Sequence, residues 1–417
     1  MRRRRLRAGL VAVALLGLAR GGGAEPAPPS AGGDGILRAL ERSPVSVVAR
    51  VTSLHSLDAQ AWTAELEVES AFLGSAARGA RLEIAWEELS PSRPSRFAEG
   101  ERILVSLEPL PPHSIWSARI PDPKDRVRTL TPAQRGTAFV REPRAGALRL
   151  LEHFLALPPK LRIANPGVAH LALLSNTAGS RLATAAVAHL GSVPELDAAL
   201  DPTSAGRIVA ALVGEDRSVS DAALVLVATR RPDALRMPLV ALASDDAAGA
   251  ARAYEGLALL DGGLPGPVAR ALLERADSAD HRRVGARYAD GSALARLPRL
   301  LRVDPDPTVR AAALERLVEL EEIEALDRIL FALDDPDPGV RAVAMQEIGE
   351  LGEAAVPSLQ RVVAGGSGDA ARTAVGALRA TGAAGMEALN EIADSHPDES
   401  VRMTARIALG RPIGHMH

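Results

Sequence analysis

Three groupings in this 417-residue chain have the residue types that chemistry needs. His415-Met416-His417 sets two imidazoles around one residue and could hold Cu or Ni. Glu319, Glu321, Glu322 and Glu324 form an acidic patch that could cage a metal ion. Asp304-Pro305-Asp306-Pro307-Thr308-Val309-Arg310 reads as an acidic, ligand-ready loop. Each also has a plainer reading. A tail of that composition arises readily by chance, and a glutamate-rich turn is usually solvated. The Asp/Pro/Arg loop returns 31 residues on as Asp335-Pro336-Asp337-Pro338-Gly339-Val340-Arg341, then degraded around Ala371-Arg372, then restored as Val401-Arg402. A feature that recurs with a fixed period of this size marks a helical repeat array, so it reports construction before chemistry.

Other chemical signatures are missing from the sequence. It has no Gly-x-x-x-x-Gly-Lys, no nucleophile elbow, no His-Glu-x-x-His and no Gly-x-Gly-x-x-Gly after a strand. Nine histidines are scattered, and the absence of cysteine removes disulfides, thiolate chemistry and Cys-ligated zinc. His281-Arg282-Arg283 and Arg230-Arg231 read as solvated helix ends. The sequence therefore nominates no catalytic, cofactor-binding or metal residue, and the expected role is non-catalytic.

The elements that carry the recurring loop are helices. One inward stripe is Val309, Ala313, Leu317 and Leu320, and the next is Val340, Ala344, Ile348 and Leu351, spaced 4, 4 and 3 in both. That spacing keeps four apolar side chains on one helical face. Second helices follow through Leu326, Ile329, Leu330 and Leu333, and through Val356, Leu359, Val362 and Val363. Pro307 and Pro338 suit the first helical turn, where a missing N–H has no partner to lose. Asp306 and Asp337 can accept from the free N–H groups beyond them and meet the helix dipole favourably. In the third unit Gly365-Gly366-Ser367-Gly368-Asp369 takes the place of the loop and leaves a looser turn.

Asp-Pro-x-Pro-x-Val-Arg, followed by small residues and then Val356-Pro357-Ser358-Leu359, resembles HEAT-type repeats over residues 304–410, particularly the short class named after phycobilisome lyases. The resemblance implies a superhelical all-α solenoid with an Arg/Asp ladder between successive turns. Arg310, Arg341, Arg372 and Arg402 are accordingly assigned to structure, with Asp306, Asp337 and Asp398 as their partners. Between 165 and 303 the helix-pair texture continues with drifted turns, for about seven units in all. Repeats of this type occur in lyases that attach bilins, so a bilin-lyase-like enzyme or cofactor chaperone is the alternative reading. Against it stand the lack of His/Cys/Tyr clusters and an array whose aromatics are Tyr254, Tyr288 and Phe331.

From Val45 to Ile120 the apolar period changes to two, with strands through Val45–Val51, Ala64–Ser70, Leu82–Trp86, Ile103–Leu107 and Ile115–Ile120. All three tryptophans, Trp62, Trp86 and Trp116, fall there and are expected in the core. Val47-Val48-Ala49-Arg50-Val51, Leu66 to Gly74 and Phe97 to Val105 resemble the OB-type antiparallel β-barrel of netrin-like and metalloproteinase-inhibitor-like domains. That family reaches a protease metal through an N-terminal cysteine, which this chain lacks. Protease inhibition through the β domain is a third possibility.

Arg2 to Arg7 followed by the apolar run Ala8–Ala19 and Gly22-Gly23-Ala24 reads as a cleavable signal peptide. The expected organisation is therefore a signal peptide over 1–24, a disordered linker over 25–35, the small β-barrel over 36–120, a connector over 121–142, the HEAT-like solenoid over 143–410 and a flexible tail over 411–417. Residues 1–24 hold six arginines and no carboxylate, so the formal charge falls from −3 to −9 without them. So acidic a chain is a poor nucleic-acid binder. The expected product is a periplasmic or secreted scaffold or adaptor with a protein or peptide partner, no cofactor and no membrane contact beyond the export signal.

Overall fold

A computed structural model describes residues 32–58, 60–87, 96–110, 116, 119–120, 127–130, 139–244 and 249–411. Residues 1–24, read above as a signal peptide, and His415-Met416-His417 lie outside them. The chain divides into two units, Met1–Leu260 and Asp261–His417.

In the first unit, helix α1 (Gly32–Arg42) precedes strands β1 (Val45–Ser56), β2 (Ala61–Leu73), β3 (Arg81–Glu87), β4 (Arg102–Pro109), β5 (Val127–Leu130) and β6 (Val140–Arg141). Sheet order β1-β2-β3-β5-β4 closes on itself because β1 also pairs antiparallel with β4, through Val47↔Val105 and Ala49↔Ile103. The result is a closed five-stranded barrel, the architecture expected from the alternating pattern. Its core takes Val47, Ala49 and Val51 from β1, Leu66 from β2, Ile84 and Trp86 from β3 and Ile103, Val105 and Leu107 from β4. Gly74 turns the chain after β2 at φ +88, a backbone conformation that glycine adopts without strain.

The fifth strand is a correction. The described residues of 115–120 form no strand: Trp116 sits in a helical turn, and Arg119 and Ile120 hydrogen-bond back to its carbonyl. Val127–Leu130 closes the barrel from within the stretch assigned to the connector, and Val140–Arg141 adds to β4 from the same stretch. β5 pairs parallel with β3, so the barrel is not wholly antiparallel. Four residues between prolines and charges are too short a run for period two to be read.

Helices follow: α2 (Ala145–Ala156), α3 (Pro159–Arg162), α4 (Asn165–Thr177), α5 (Ser180–Leu190), α6 (Leu196–Ala199), α7 (Pro202–Val213), α8 (Arg217–Arg230), α9 (Arg236–Ser244) and α10 (Ala250–Asp261). α2, α4 and α7 stack in one layer, and α1, α5 and α8 in the other. The sequence leads to a short helix around Ile36 to Arg42, and α1 contains it but begins at Gly32, inside the segment assigned to a disordered linker. Tertiary burial explains it. Ile36, Leu37 and Leu40 share one core with Val48 and Leu104 on the barrel's outer face and with Ala147, Leu151 and Leu171. Glu41 meets Arg162 at 3.4 Å and His189 at 4.0 Å across the same junction. This packing also accounts for the apolar run Val47-Val48-Ala49, which is buried on both faces of its strand.

The second unit holds α11 (Gly266–Leu273), α12 (Ala279–Arg287), α13 (Leu297–Val303), α14 (Pro307–Glu321), α15 (Leu326–Ile329), α16 (Pro338–Glu350), α17 (Val356–Gly365), α18 (Gly368–Ala380), α19 (Ala383–Ser395) and α20 (Glu399–Ala408). α12, α14, α16, α18 and α20 stack in succession as the first helices of the pairs. Ala313, Leu317, Val340, Ala344 and Ile348 are buried in their shared core, with Leu320 and Leu351 at its margin, and Val309 is buried as well. The second helix at 326–333 is a single α-turn continued as a 3-10 helix over Leu330–Asp334 before Pro336 stops it.

Candidate functional site

The recurring Asp and Arg residues build two devices in the turns of the second unit. One is a helix cap. Asp306 accepts from Thr308 N–H at 2.8 Å, Asp337 from Gly339 and Val340 at 2.8 and 3.2 Å, and Asp398 from Ser400 and Val401 at 2.7 and 3.4 Å. Pro307 and Pro338 occupy the first helical position behind their caps. Burial alone would raise Asp306, but the Thr308 hydroxyl and amide outweigh it and hold the carboxyl below its ordinary range. The Ser400 hydroxyl and amide do the same for Asp398.

The other device is the ladder, and its carboxylates are not the capping ones. Arg310 donates through Nε to Asp335 Oδ2 at 2.9 Å and through Nη2 to Asp335 Oδ1 at 2.7 Å, while Nη1 caps the Asp304 carbonyl at 2.9 Å. One step earlier Arg282 donates to Asp304 through the same two nitrogens, at 2.7 and 3.1 Å, with Nη1 on the carbonyls of Arg275 and Ala276. Each bridging carboxylate also accepts the backbone N–H two residues on, Asp306 N at 3.0 Å and Asp337 N at 2.9 Å. One aspartate thus shapes its own turn and reaches back to the preceding first helix. These bidentate bonds push both guanidinium pKa values up from their ordinary value.

Asp306, Asp337 and Asp398, expected as the partners of the arginines, are caps instead, and the bridging Asp304 and Asp335 stand two residues earlier in their turns. A carboxylate at the N-cap is consumed by the amides beside it, whereas the first Asp of each loop stands outside the helix and is free to point across. His281-Arg282-Arg283 is also not a solvated end, since His281 and Arg282 are buried. The signal was in the sequence: Arg282 precedes Asp304 by 22 residues, much as Arg310 precedes Asp335 by 25.

The ladder stops at the third turn. Six residues before Arg310, Arg341, Arg372 and Arg402 stand Asp304, Asp335, Gly366 and His396. Arg341 keeps the carbonyl contacts of its relatives, to Asp335 at 2.7 Å and Pro336 at 3.2 Å, yet among the described residues it meets no carboxylate. A Cβ at Gly366 would lie 2.6 Å from the Val362 carbonyl oxygen, so this backbone has no room for a side chain there. Ser367 caps α18 instead, accepting from Ala370 N at 3.2 Å, and its hydroxyl donates to Asp334. Arg372 turns to Asp369 in its own first turn and to Ser400 Oγ at 3.3 Å. In the last turn Arg402 bonds the carbonyls of His396 and Pro397, and His396 Nδ1 accepts Asp398 N–H at 3.1 Å.

Beside the interrupted turn runs an open groove of about 530 Å³, lined by Phe331, Asp334, Arg361, Val362, Gly366 and Ser367 among others. The Arg302 guanidinium carbon lies 4.2 Å from the Phe331 ring centroid, a cation–π contact, and Arg361 donates to Ser358 Oγ at 2.7 Å. Among the described residues no three His, Cys, Asp or Glu side chains converge on a metal-sized site. In the acidic patch Glu319 pairs with Arg316 at 2.6 Å and Glu321 with Arg328. Trp86 and Trp116 are buried, and Trp62 is half-buried against the barrel core.

Residues 293–379 match the family model for HEAT repeats, which spans the Arg310–Asp335 rung, the interrupted turn and the groove. No curated protein matches the chain. HEAT repeats are as a class protein-interaction scaffolds, and no helix among the described residues is long and apolar enough to cross a membrane.

Proposed function

We propose that this chain is an exported, non-catalytic adaptor that binds a protein or peptide partner through the repeats of its second unit. The observation that carries the reading is a coincidence of place. The HEAT-repeat match covers a stack of helix pairs whose turn signature is broken once, and the Phe331/Arg361 groove opens at that break. Stacked repeats present a long surface without needing a deep pocket, and variation between units is where a partner would be read. Phe331 supplies a rigid apolar contact and Arg361 a charged donor, two residue types favoured at binding hot spots.

Export rests on the basic residues Arg2 to Arg7, the apolar run after them and the small residues ending at Ala24. The acidic balance left after residues 1–24 argues against a nucleic-acid partner. Affinity capture from a periplasmic or secreted fraction should retain a partner with the full mature chain and lose it with Phe331→Ala/Arg361→Glu, with the partner's footprint falling on 330–370 by hydrogen exchange. A partner whose footprint lies wholly outside the second unit would sink the proposal. N-terminal sequencing of the exported protein should read from Glu25.

A further inference from the structure

The interrupted turn has the makings of an acceptor site for someone else's carboxylate. In each of the two intact rungs an aspartate is held by three donors: Nε and Nη2 of the preceding arginine and the backbone N–H four residues before the next one. At the third turn the same register positions are Arg341 Nε, Arg341 Nη2 and Gly368 N–H. Among the described residues none of the three has an acceptor, while Arg341 Nη1 is already fixed to the carbonyls of Asp335 and Pro336. The chain cannot supply the acid itself, because a side chain at Gly366 would collide with Val362. The fourth turn shows that the position otherwise demands an acceptor, since His396 Nδ1 takes the Asp398 N–H there.

We infer that Arg341 and the start of α18 bind one Asp or Glu side chain of the partner, completing in trans the rung that Arg282–Asp304 and Arg310–Asp335 make within the chain. The inference rests on the adaptor reading and names the partner's chemistry. Charge complementarity favours it: a fork of two N–H donors matches a carboxylate bidentately. Asp334 sits close by with its carboxylate engaged by Ser367, so a single acid rather than an acidic run is accommodated. The adjacent groove gives the residues flanking that acid an apolar contact on Phe331 and Val362.

The test uses the full mature chain and a fluorescent peptide with the sequence of residues 333–338 in which Asn replaces Asp334 and Asp337, so that the acid matching Asp335 is its one carboxylate side chain, against the same peptide with Asn at that position too. Anisotropy should show the Asp peptide binding about tenfold or more tightly than the Asn peptide, as expected for losing a charged hydrogen-bonded pair. That difference should vanish in Arg341→Ala and return only in part in Arg341→Lys, which keeps the charge and loses the fork. Circular dichroism melts check that both variants are folded. Equal binding of the two peptides, no binding of either, or an unchanged preference in Arg341→Ala would each overturn the inference. The adaptor reading fails separately, when a captured partner leaves its footprint outside the second unit.

Discussion

Arg310→Ala should be one of the most damaging single substitutions in the second unit, and Arg341→Ala one of the mildest, although the sequence presents them as equivalents. The Arg310 and Asp335 side chains are 10% and 5% exposed, and the pair is bidentate at 2.9 and 2.7 Å. Removing the guanidinium leaves Asp335 buried with only the Asp337 amide to accept from, and it also uncaps the Asp304 carbonyl. Breaking such a buried pair from one side costs about 3–5 kcal/mol. Arg341 gives up two carbonyl contacts and no ion pair, a loss of about 1 kcal/mol. For a unit of this size each kcal/mol moves the midpoint by roughly 2–4 °C, so the two variants should differ by about 10 °C in thermal melts. Urea titrations with a shared slope would give the free energies directly. In a double-mutant cycle Arg310→Ala/Asp335→Ala should be less destabilised than the sum of the single variants. Equal losses for Arg310→Ala and Arg341→Ala, or strict additivity in the cycle, would refute the assignment of the rung as a buried coupled pair.

Other substitutions test the remaining contacts. Gly285→Ala places a methyl group 2.9 Å from Ala269 O, Leu272 Cβ and Leu273 N, so α11 must be pushed off α12 at a cost of about 1–3 kcal/mol in a urea melt. Asp306→Ala removes a cap worth about 1 kcal/mol at neutral pH. Because the folded carboxyl lies below its unfolded value, that contribution is present above the unfolded range near pH ~4 and fades as pH falls through the lowered value, so wild type and variant should converge in acid. Glu315 has the opposite sign: burial raises it, with Arg287 and Arg283 only partly offsetting, so its contribution to stability falls as pH rises through the interval between the unfolded and folded values. Glu315→Gln should melt higher than wild type at neutral pH and no higher in acid. Leu37→Ala empties a fully buried position between barrel and helices and should cost about 3 kcal/mol, read as a lower midpoint for the first unit.

Stripes at Val309–Leu317 and Val340–Ile348 were legible because a helix face needs only i, i+4 spacing, and the barrel was legible because one buried face needs only alternation. What escaped were pairings set by three-dimensional register. β5 carries four residues and is recognised as a strand only through its partners on β3 and β4. Asp304 and Asp306 are the same residue type two positions apart, and which one bridges depends on where the helix starts. Arg282 has no Asp-Pro-Asp-Pro before it, so its place on the ladder shows only through Asp304. The interrupted turn was visible as Gly365-Gly366-Ser367-Gly368, but its meaning was not. That the glycines unseat an acid follows only once the acid in the neighbouring turns is seen at work.

The placement of α1 has a consequence for the order in which this protein can be made. The helix leaves the ribosome before any strand of the barrel, yet its apolar side, Ile36, Leu37 and Leu40, finds its cover on α2, α4 and α5, which are synthesised after the barrel is complete. Until residue 190 has emerged, the helix and the barrel face carrying Val48 and Leu104 have only each other for cover, and the rest of their shared core is open. A fragment ending near residue 135 would stay in that state and would also lack Phe139 and the strand at Val140–Arg141. Such a chain would hold its first unit loose, and that unit locks only when the helices that come last in it arrive.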